Sequence, residues 1–97
     1  MKYIDFINSI EEEKPPKNLP EIHLSIWYIL KNNWDMAHSI AQDIPSEIAS
    51  WIHAYLHRQE GDIPNAYYWY SQANKSPYSN SLEKELDDII ESVFERP

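Results

Sequence analysis

The sequence predicts an all-α protein of about six helices. Apolar residues recur every three or four positions along most of the chain, which places them on one face of a helix. No segment alternates apolar and polar residues in the way that indicates a strand, and Gly61 is the only glycine, whereas hairpin turns in sheets draw heavily on glycine. The 97 residues suffice for one compact domain, so we expect 1–97 to form a single helical domain.

The first two helices are predicted from their boundaries. Helix one occupies residues 3–10, because an acidic run and two prolines interrupt the apolar pattern immediately afterwards. Asn18 and Glu21 have the spacing of a capping box, in which two side chains satisfy free backbone amides at the start of a helix. We therefore expect helix two to begin at Asn18 and to end at about Asn32.

The third and fourth helices are bounded by residues of equally specific type. Asn33 is a favourable N-cap for helix three, and Pro45 ends that helix because the residue before a proline avoids helical geometry. Ser46 is the expected N-cap of helix four. Gly61 is the expected end of helix four, because glycine readily adopts the left-handed conformation that terminates many helices.

The last two helices are predicted in the same way. Asp62 is expected to cap helix five, which we place at about 63–74. Asn80 and Glu83 form a second capping-box pair in front of helix six, whose apolar residues form one stripe. The acidic residues of helices one and six are predicted to form solvated faces.

An internal repeat divides the middle of the chain into two units, at about 18–45 and 46–78. Aligning 34–37 with 63–66 places helices two and three on helices four and five. The second unit then has the residue pattern of a helical repeat, which is small, turn, small, aromatic and small. The residues at these five positions are, in order, Ala54, Gly61, Ala66, Tyr70 and Ala73. These positions resemble the tetratricopeptide repeat, although Asn32 replaces the turn glycine in the first unit and the unit is shorter than the usual ~34 residues. The resemblance implies two central helical hairpins with the terminal helices packing as caps.

A longer run is similar to a group of short bacterial proteins that have no assigned activity. It comprises residues 51–58, 60–62, 65–66 and 68–70, which read WIHAYLHR, EGD, NA and YWY. This second resemblance implies a bacterial origin and no particular chemistry.

Composition excludes several classes of function. Sixteen acidic residues against eight basic ones give a net charge of -8, so the chain lacks the positive field that attracts nucleic acid or anionic membranes. Cysteine is absent, which rules out disulfides, a thiolate nucleophile and a cysteine zinc site. No apolar run is long enough to span a bilayer, and the N-terminus lacks the pattern of a signal peptide, so we expect a cytoplasmic protein.

Histidines are the candidate metal ligands. His53 and His57 are four residues apart on helix four, so both rings lie on one side of it, and Glu60 follows three residues later. In the register of the repeat, His38 faces the same junction from helix three. Three imidazoles and a carboxylate suit zinc, iron or nickel, and three protein ligands leave a position open for water. The competing interpretation is that these histidines are neutral, partly buried and hydrogen-bonded within the protein, while His23 lies on the surface.

A partner-binding groove is the second candidate site. The tetratricopeptide resemblance implies that the first helix of each pair lines a concave surface, and aromatic and arginine side chains are frequent anchors of peptide contacts. Tyr68 is expected on the outside of helix five as a further contact. The competing interpretation is that helix one or helix six covers the groove. The predicted partner-binding residues are Trp51, Tyr55, Arg58 and Tyr68.

The function expected from these features is that of a non-enzymatic protein–protein interaction module without a cofactor. The chain has neither a nucleophile motif nor a glycine-rich phosphate loop, and the resemblance to paired helical repeats implies a protein or peptide partner. One alternative is a structural homodimer joined through helix six. The other is a metal-binding or hydrolytic protein with a divalent ion such as zinc, which uses His38, His53, His57 and Glu60.

Overall fold

The structure, a computed structural model that describes residues 1–94, consists of helices and connecting loops. A short 3-10 turn, Ser9–Glu11, follows the first helix. No strand occurs within residues 1–94, which confirms the predicted all-α class. The six α-helices are α1 (Tyr3–Asn8), α2 (Glu21–Leu30), α3 (Trp34–Ala41), α4 (Glu47–Glu60), α5 (Ile63–Gln72) and α6 (Leu82–Val93).

Side-chain caps fix the starts of the three central helices as predicted. Asn33, Ser46 and Asp62 each accept a hydrogen bond from the backbone amide three residues further on, at 3.2, 3.2 and 3.4 Å. Gly61 ends α4 in the left-handed conformation, with φ of 88°. These caps satisfy amides that have no partner inside the helix, so they fix the residues at which α3, α4 and α5 begin.

The two predicted capping boxes are wrong. Asn18 is itself left-handed, with φ of 62°, and α2 begins only after Pro20. Pro20 forces the residue before it out of helical geometry, so a helix cannot run through from Asn18. At α6 the cap is Ser81, one residue later than predicted, and Asn80 instead accepts a hydrogen bond from the amide of Ser81. Both residue types are good caps, and the pattern alone does not choose between neighbours.

Two helical hairpins form the centre of the molecule. α2 packs chiefly on α3, α4 packs chiefly on α5, and the two pairs meet where α3 contacts α4. Small buried residues at these contacts allow the helices to approach closely; they include Ala37, Ala41, Ala54 and Ala66. The junction of α3 and α4 therefore carries side chains from both hairpins.

The terminal helices pack on this central unit. α6 lies against α4 and α2, and Phe94 just beyond it packs on Phe6 of α1 with ring centroids 4.7 Å apart. Contrary to the prediction of a solvated acidic face, Glu85 of α6 is completely buried. It is satisfied by hydrogen bonds from α4 and α5, which the acidic pattern of the helix does not reveal. None of the helices described is long and apolar enough to cross a membrane.

Candidate metal centre between the hairpins

Three histidines converge at the junction of the two hairpins. His38 projects from α3, while His53 and His57 project from successive turns of α4. One ligand nitrogen from each ring lies within 4.8 Å of the others. The ring centroids are 4.5 Å apart for His38 and His53, 5.2 Å for His38 and His57, and 4.8 Å for His53 and His57. The structure thus brings together the three imidazoles that the sequence singled out, and we call them the histidine cluster.

Helix geometry explains this convergence. A spacing of four residues places His53 and His57 on one face of α4. His38 follows Ala37, which is completely buried where α3 packs on its neighbours, so its ring emerges at the edge of that contact. His53 and His57 are buried at 4% and 6% exposure, whereas His38 is only half-buried. The cluster therefore approaches solvent on the side of α3.

Two indole rings hold the imidazoles in place. Trp34 stacks on His38 with centroids 4.7 Å apart, and Trp69 of α5 stacks on His53 at 3.9 Å. Trp34 is itself fixed, because its Nε1 donates a hydrogen bond of 2.8 Å to the carbonyl of Leu56. Neither indole was predicted from the sequence as part of the site. Trp34 is four residues before His38, a spacing that could have identified it, whereas Trp69 approaches from another helix and left no local signal.

Glu60 binds the outer edge of the cluster and does not share its centre. Nδ1 of His57 lies 2.7 Å from Oε1 of Glu60 and donates a hydrogen bond to it, which leaves Nε2 as the free nitrogen of His57. Within residues 1–94, Glu60 and Asp62 form a separate group of potential ligands that includes His57 but neither of the other histidines. The fourth residue of the predicted ligand set is thus placed behind one of the imidazoles.

Burial keeps two imidazoles of the cluster neutral. Desolvation, reinforced by the neighbouring His38 and His57, lowers the pKa of His53 to about 4. Desolvation and His57 likewise lower the pKa of His38. Neutral imidazole is the form that binds metal ions. Nδ1 of His53 is buried and has no hydrogen-bond partner among the described residues, an arrangement that is costly for a polar atom.

No known family model, curated protein or solved structure matches this chain. In the histidine cluster, side chains of one ligand type from both hairpins meet with one ring nitrogen each within 4.8 Å of the others.

The residues of the predicted partner groove lie mostly beneath α6. Trp51 and Tyr55 are buried, and Arg58 is partly buried. Nε1 of Trp51 and Nη1 of Arg58 donate hydrogen bonds of 3.1 and 2.8 Å to the carboxylate of Glu85. Tyr68, in contrast, is 55% exposed. In this arrangement the groove is filled by the protein's own helix, and Tyr68 alone of the four predicted contacts is freely accessible.

His23 departs from its predicted position at the surface. Its ring is half-buried and packs edge-on against Phe94 at 4.5 Å, because the end of α6 folds back over α2. Nδ1 of His23 is buried without a hydrogen-bond partner in the described part of the chain. His23 takes no part in the histidine cluster.

Proposed function

We propose that this protein binds a divalent transition-metal ion through His38, His53 and His57. The observation that carries the proposal is the convergence of three ligand nitrogens within 4.8 Å of one another at the hairpin junction. Nitrogen donors bound to a tetrahedral zinc ion at about 2.0–2.1 Å lie roughly 3.4 Å apart. Side-chain rotations that bring the ligand nitrogens about 1 Å closer together therefore allow one metal ion to contact all three.

The protonation of the cluster favours metal over internal hydrogen bonding. With its pKa lowered to about 4, the ring of His53 is neutral at neutral pH, so one of its two nitrogens has a lone pair available to a metal ion. The unpartnered Nδ1 of His53 shows that the surrounding protein does not satisfy this ring fully. Three imidazoles without thiolates suit zinc, nickel, copper or iron, and the absence of cysteine removes the softer alternatives.

Glu60 supports the proposal as an outer partner of the metal ligands. A histidine that binds metal through one nitrogen usually donates its other N–H to a carboxylate or carbonyl, which orients the ring and raises its basicity. Glu60 makes this contact with His57 at 2.7 Å. The Glu60 side chain is 40% exposed, so water reaches the outer side of this carboxylate.

Metal analysis of the purified, untagged protein, together with a calorimetric zinc titration, tests the proposal. We expect one zinc ion per chain and a loss of binding of at least about tenfold in His53→Ala and in His57→Ala. His23→Ala is the matched control, because it removes the histidine that lies outside the cluster, and we expect it to bind zinc normally. Circular dichroism confirms that each variant is folded. A folded wild-type protein without stoichiometric zinc, or unchanged binding by His57→Ala, contradicts the proposal.

The interaction module predicted from the sequence is a second candidate function, and exposed side chains of α5 favour it. Ile63, Tyr67 and Tyr68 are 42%, 54% and 55% exposed, and large apolar or aromatic side chains grouped on one helix are frequent in protein contacts. A tetratricopeptide-like pairing of α2 with α3 and α4 with α5 is part of this proposal.

Sedimentation and affinity capture test this second candidate with one variant. We expect the wild-type chain to self-associate or to retain a specific protein, and we expect Tyr67→Ser combined with Tyr68→Ser to lose that contact. A wild-type monomer that retains nothing more than the double variant does would count against an interaction function for α5.

A further inference from the structure

The histidine cluster provides three ligands, and the structure indicates what becomes of a fourth coordination position. We infer that a metal ion bound by His38, His53 and His57 keeps an exchangeable position that accepts water or a small anion. This inference rests on the metal binding proposed above. It deepens that proposal, because it distinguishes a reactive Lewis-acid centre from a closed structural one.

The point shared by the three histidines has no fourth protein ligand among the described residues. Within residues 1–94, no carboxylate joins the group formed by the three histidines. Glu60 accepts a hydrogen bond of 2.7 Å from Nδ1 of His57, which leaves Nε2 of that ring as the nitrogen that can bind a metal ion. Asp62 caps α5 by accepting a hydrogen bond from the amide of Asn65. Both carboxylates thus have roles that hold them away from the shared point.

The aromatic rings that pack on the histidine cluster also supply no metal ligand. The rings that pack directly on the cluster are the indoles of Trp34 and Trp69. An indole offers no lone pair to a metal ion, and the N–H of Trp34 is already donated to the carbonyl of Leu56. These walls therefore shield the metal without coordinating it.

The positive charge of the bound metal ion favours a negative ligand at the fourth position. Three neutral imidazoles leave the double positive charge of the metal unneutralised in a largely buried place, because Glu60 behind His57 and Asp35 near His38 offset it only from outside the cluster. A negative ligand gains strongly under these conditions, because electrostatic attraction is greater where water is excluded. His38 is the half-buried member of the cluster, so its side is where we expect small solutes to reach the metal ion. The ligand class is therefore water, hydroxide or a compact monoanion.

Cobalt(II) loaded into the 97-residue chain and titrated with sodium azide tests this inference. Cobalt replaces zinc in such sites, and its visible absorption bands report directly on the ligands of the ion. We expect one equivalent of cobalt to give the intense absorption bands that are typical of a low coordination number. We expect azide to shift these bands until the site is saturated. Chloride at the same ionic strength is the control for general salt effects.

Glu60→Ala separates an open position from one that Glu60 closes. If Glu60 acts only behind His57, wild type and Glu60→Ala both respond to azide, and the variant differs mainly by a cobalt affinity lowered by about 10- to 100-fold. If Glu60 swings in as the fourth ligand, azide changes the spectrum of the variant alone, which overturns the inference. Stoichiometric cobalt without an azide response in the wild type also overturns it while leaving metal binding intact. Failure to take up cobalt or zinc overturns both proposals.

Discussion

Burial disfavours the charged form of His53, and the neighbouring His38 and His57 add to this effect, because a charged ring nearby raises the cost of charging another. These causes together lower the pKa of His53 to about 4 from the ordinary 6.5. Between these two pH values the unfolded chain binds a proton at His53 that the folded chain does not bind. The free energy of unfolding contributed by this residue is therefore present above about pH 6.5 and is lost progressively as the pH falls towards 4.

We predict that the metal-free protein loses stability on mild acidification through His53. In the presence of a chelator, the free energy of unfolding should fall between pH 7 and pH 5, and the full loss traceable to His53 should be at most about 3 kcal/mol. Urea denaturation at several pH values measures it. His53→Gln should show a flatter profile than the wild type over the same range. Parallel profiles for the two proteins would show that His53 does not carry the pH dependence.

At the scale of whole helices, the two hairpin turns use different residues for one conformation. Gly61 ends α4 with φ of 88°, and Asn32, its counterpart after α2, has φ of 59°. Asparagine is among the few residues besides glycine that adopt left-handed geometry readily. The replacement that set the first repeat unit apart in the sequence therefore preserves the turn.

This equivalence predicts opposite tolerances at the two turns. Gly61→Ala should lower the free energy of unfolding by about 1 kcal/mol through backbone strain alone, because a Cβ there meets no atom within 4 Å. Asn32→Gly should change stability by less than about 0.5 kcal/mol, since glycine adopts the same conformation without strain. Thermal and urea unfolding of the two variants provide the comparison. A loss at Asn32→Gly as large as that at Gly61→Ala would disprove the equivalence.

The helix starts show what the sequence could and could not predict. Asn33, Ser46 and Asp62 were predicted as caps and are caps, because each stands directly before an apolar helical pattern. At the start of α6, Asn80 and Ser81 compete as neighbouring capping residues, and tertiary contacts favour the serine. Part of that choice comes from Arg58, which donates a hydrogen bond to the carbonyl of Asn80.

The docking of α6 depends on one buried carboxylate that the sequence analysis assigned to a solvated face. Glu85 accepts hydrogen bonds from Trp51, Arg58 and Tyr70, so three side chains of α4 and α5 hold α6 in a fixed register. The helical spacing of apolar residues in the sequence correctly identified the apolar stripe of α6. This spacing could not identify Glu85 as buried, because its partners are distant in the chain, and a buried charge is tolerated only where such partners meet it.

Glu85→Gln is predicted to weaken this docking strongly. The substitution removes the charge that pairs with Arg58 and places an amide donor among three donors, which should cost about 2–4 kcal/mol of unfolding free energy. Glu83→Gln is the matched control: Glu83 is exposed on the same helix, and its loss should cost no more than about 1 kcal/mol. Urea denaturation followed by tryptophan fluorescence measures both. Equal effects of the two substitutions would mean that Glu85 does not hold α6.

At the scale of the molecule, the histidine cluster joins the two hairpins. His38 belongs to the pair α2 and α3, whereas His53 and His57 belong to the pair α4 and α5. The spacing on α4 was readable from the sequence, and the structure places His38 of α3 beside that pair. The outward position of Glu60 was not readable, because it depends on the rotamer that brings the carboxylate to Nδ1 of His57. Local periodicity thus predicts which side chains share a junction but not how each one is oriented there.

A ligand held by both hairpins must stabilise the entire fold, which gives the last prediction. Zinc at about 100 times its dissociation constant should add about 2.7 kcal/mol to the free energy of unfolding, and for a domain of this size that corresponds to roughly 10–20 °C in Tm. His38→Asn removes the one ligand contributed by the first hairpin and should abolish most of the shift, whereas His23→Asn should retain it. A full shift in His38→Asn would mean that zinc binds to α4 alone, because only a ligand shared by α3 and α4 ties the first hairpin to the second.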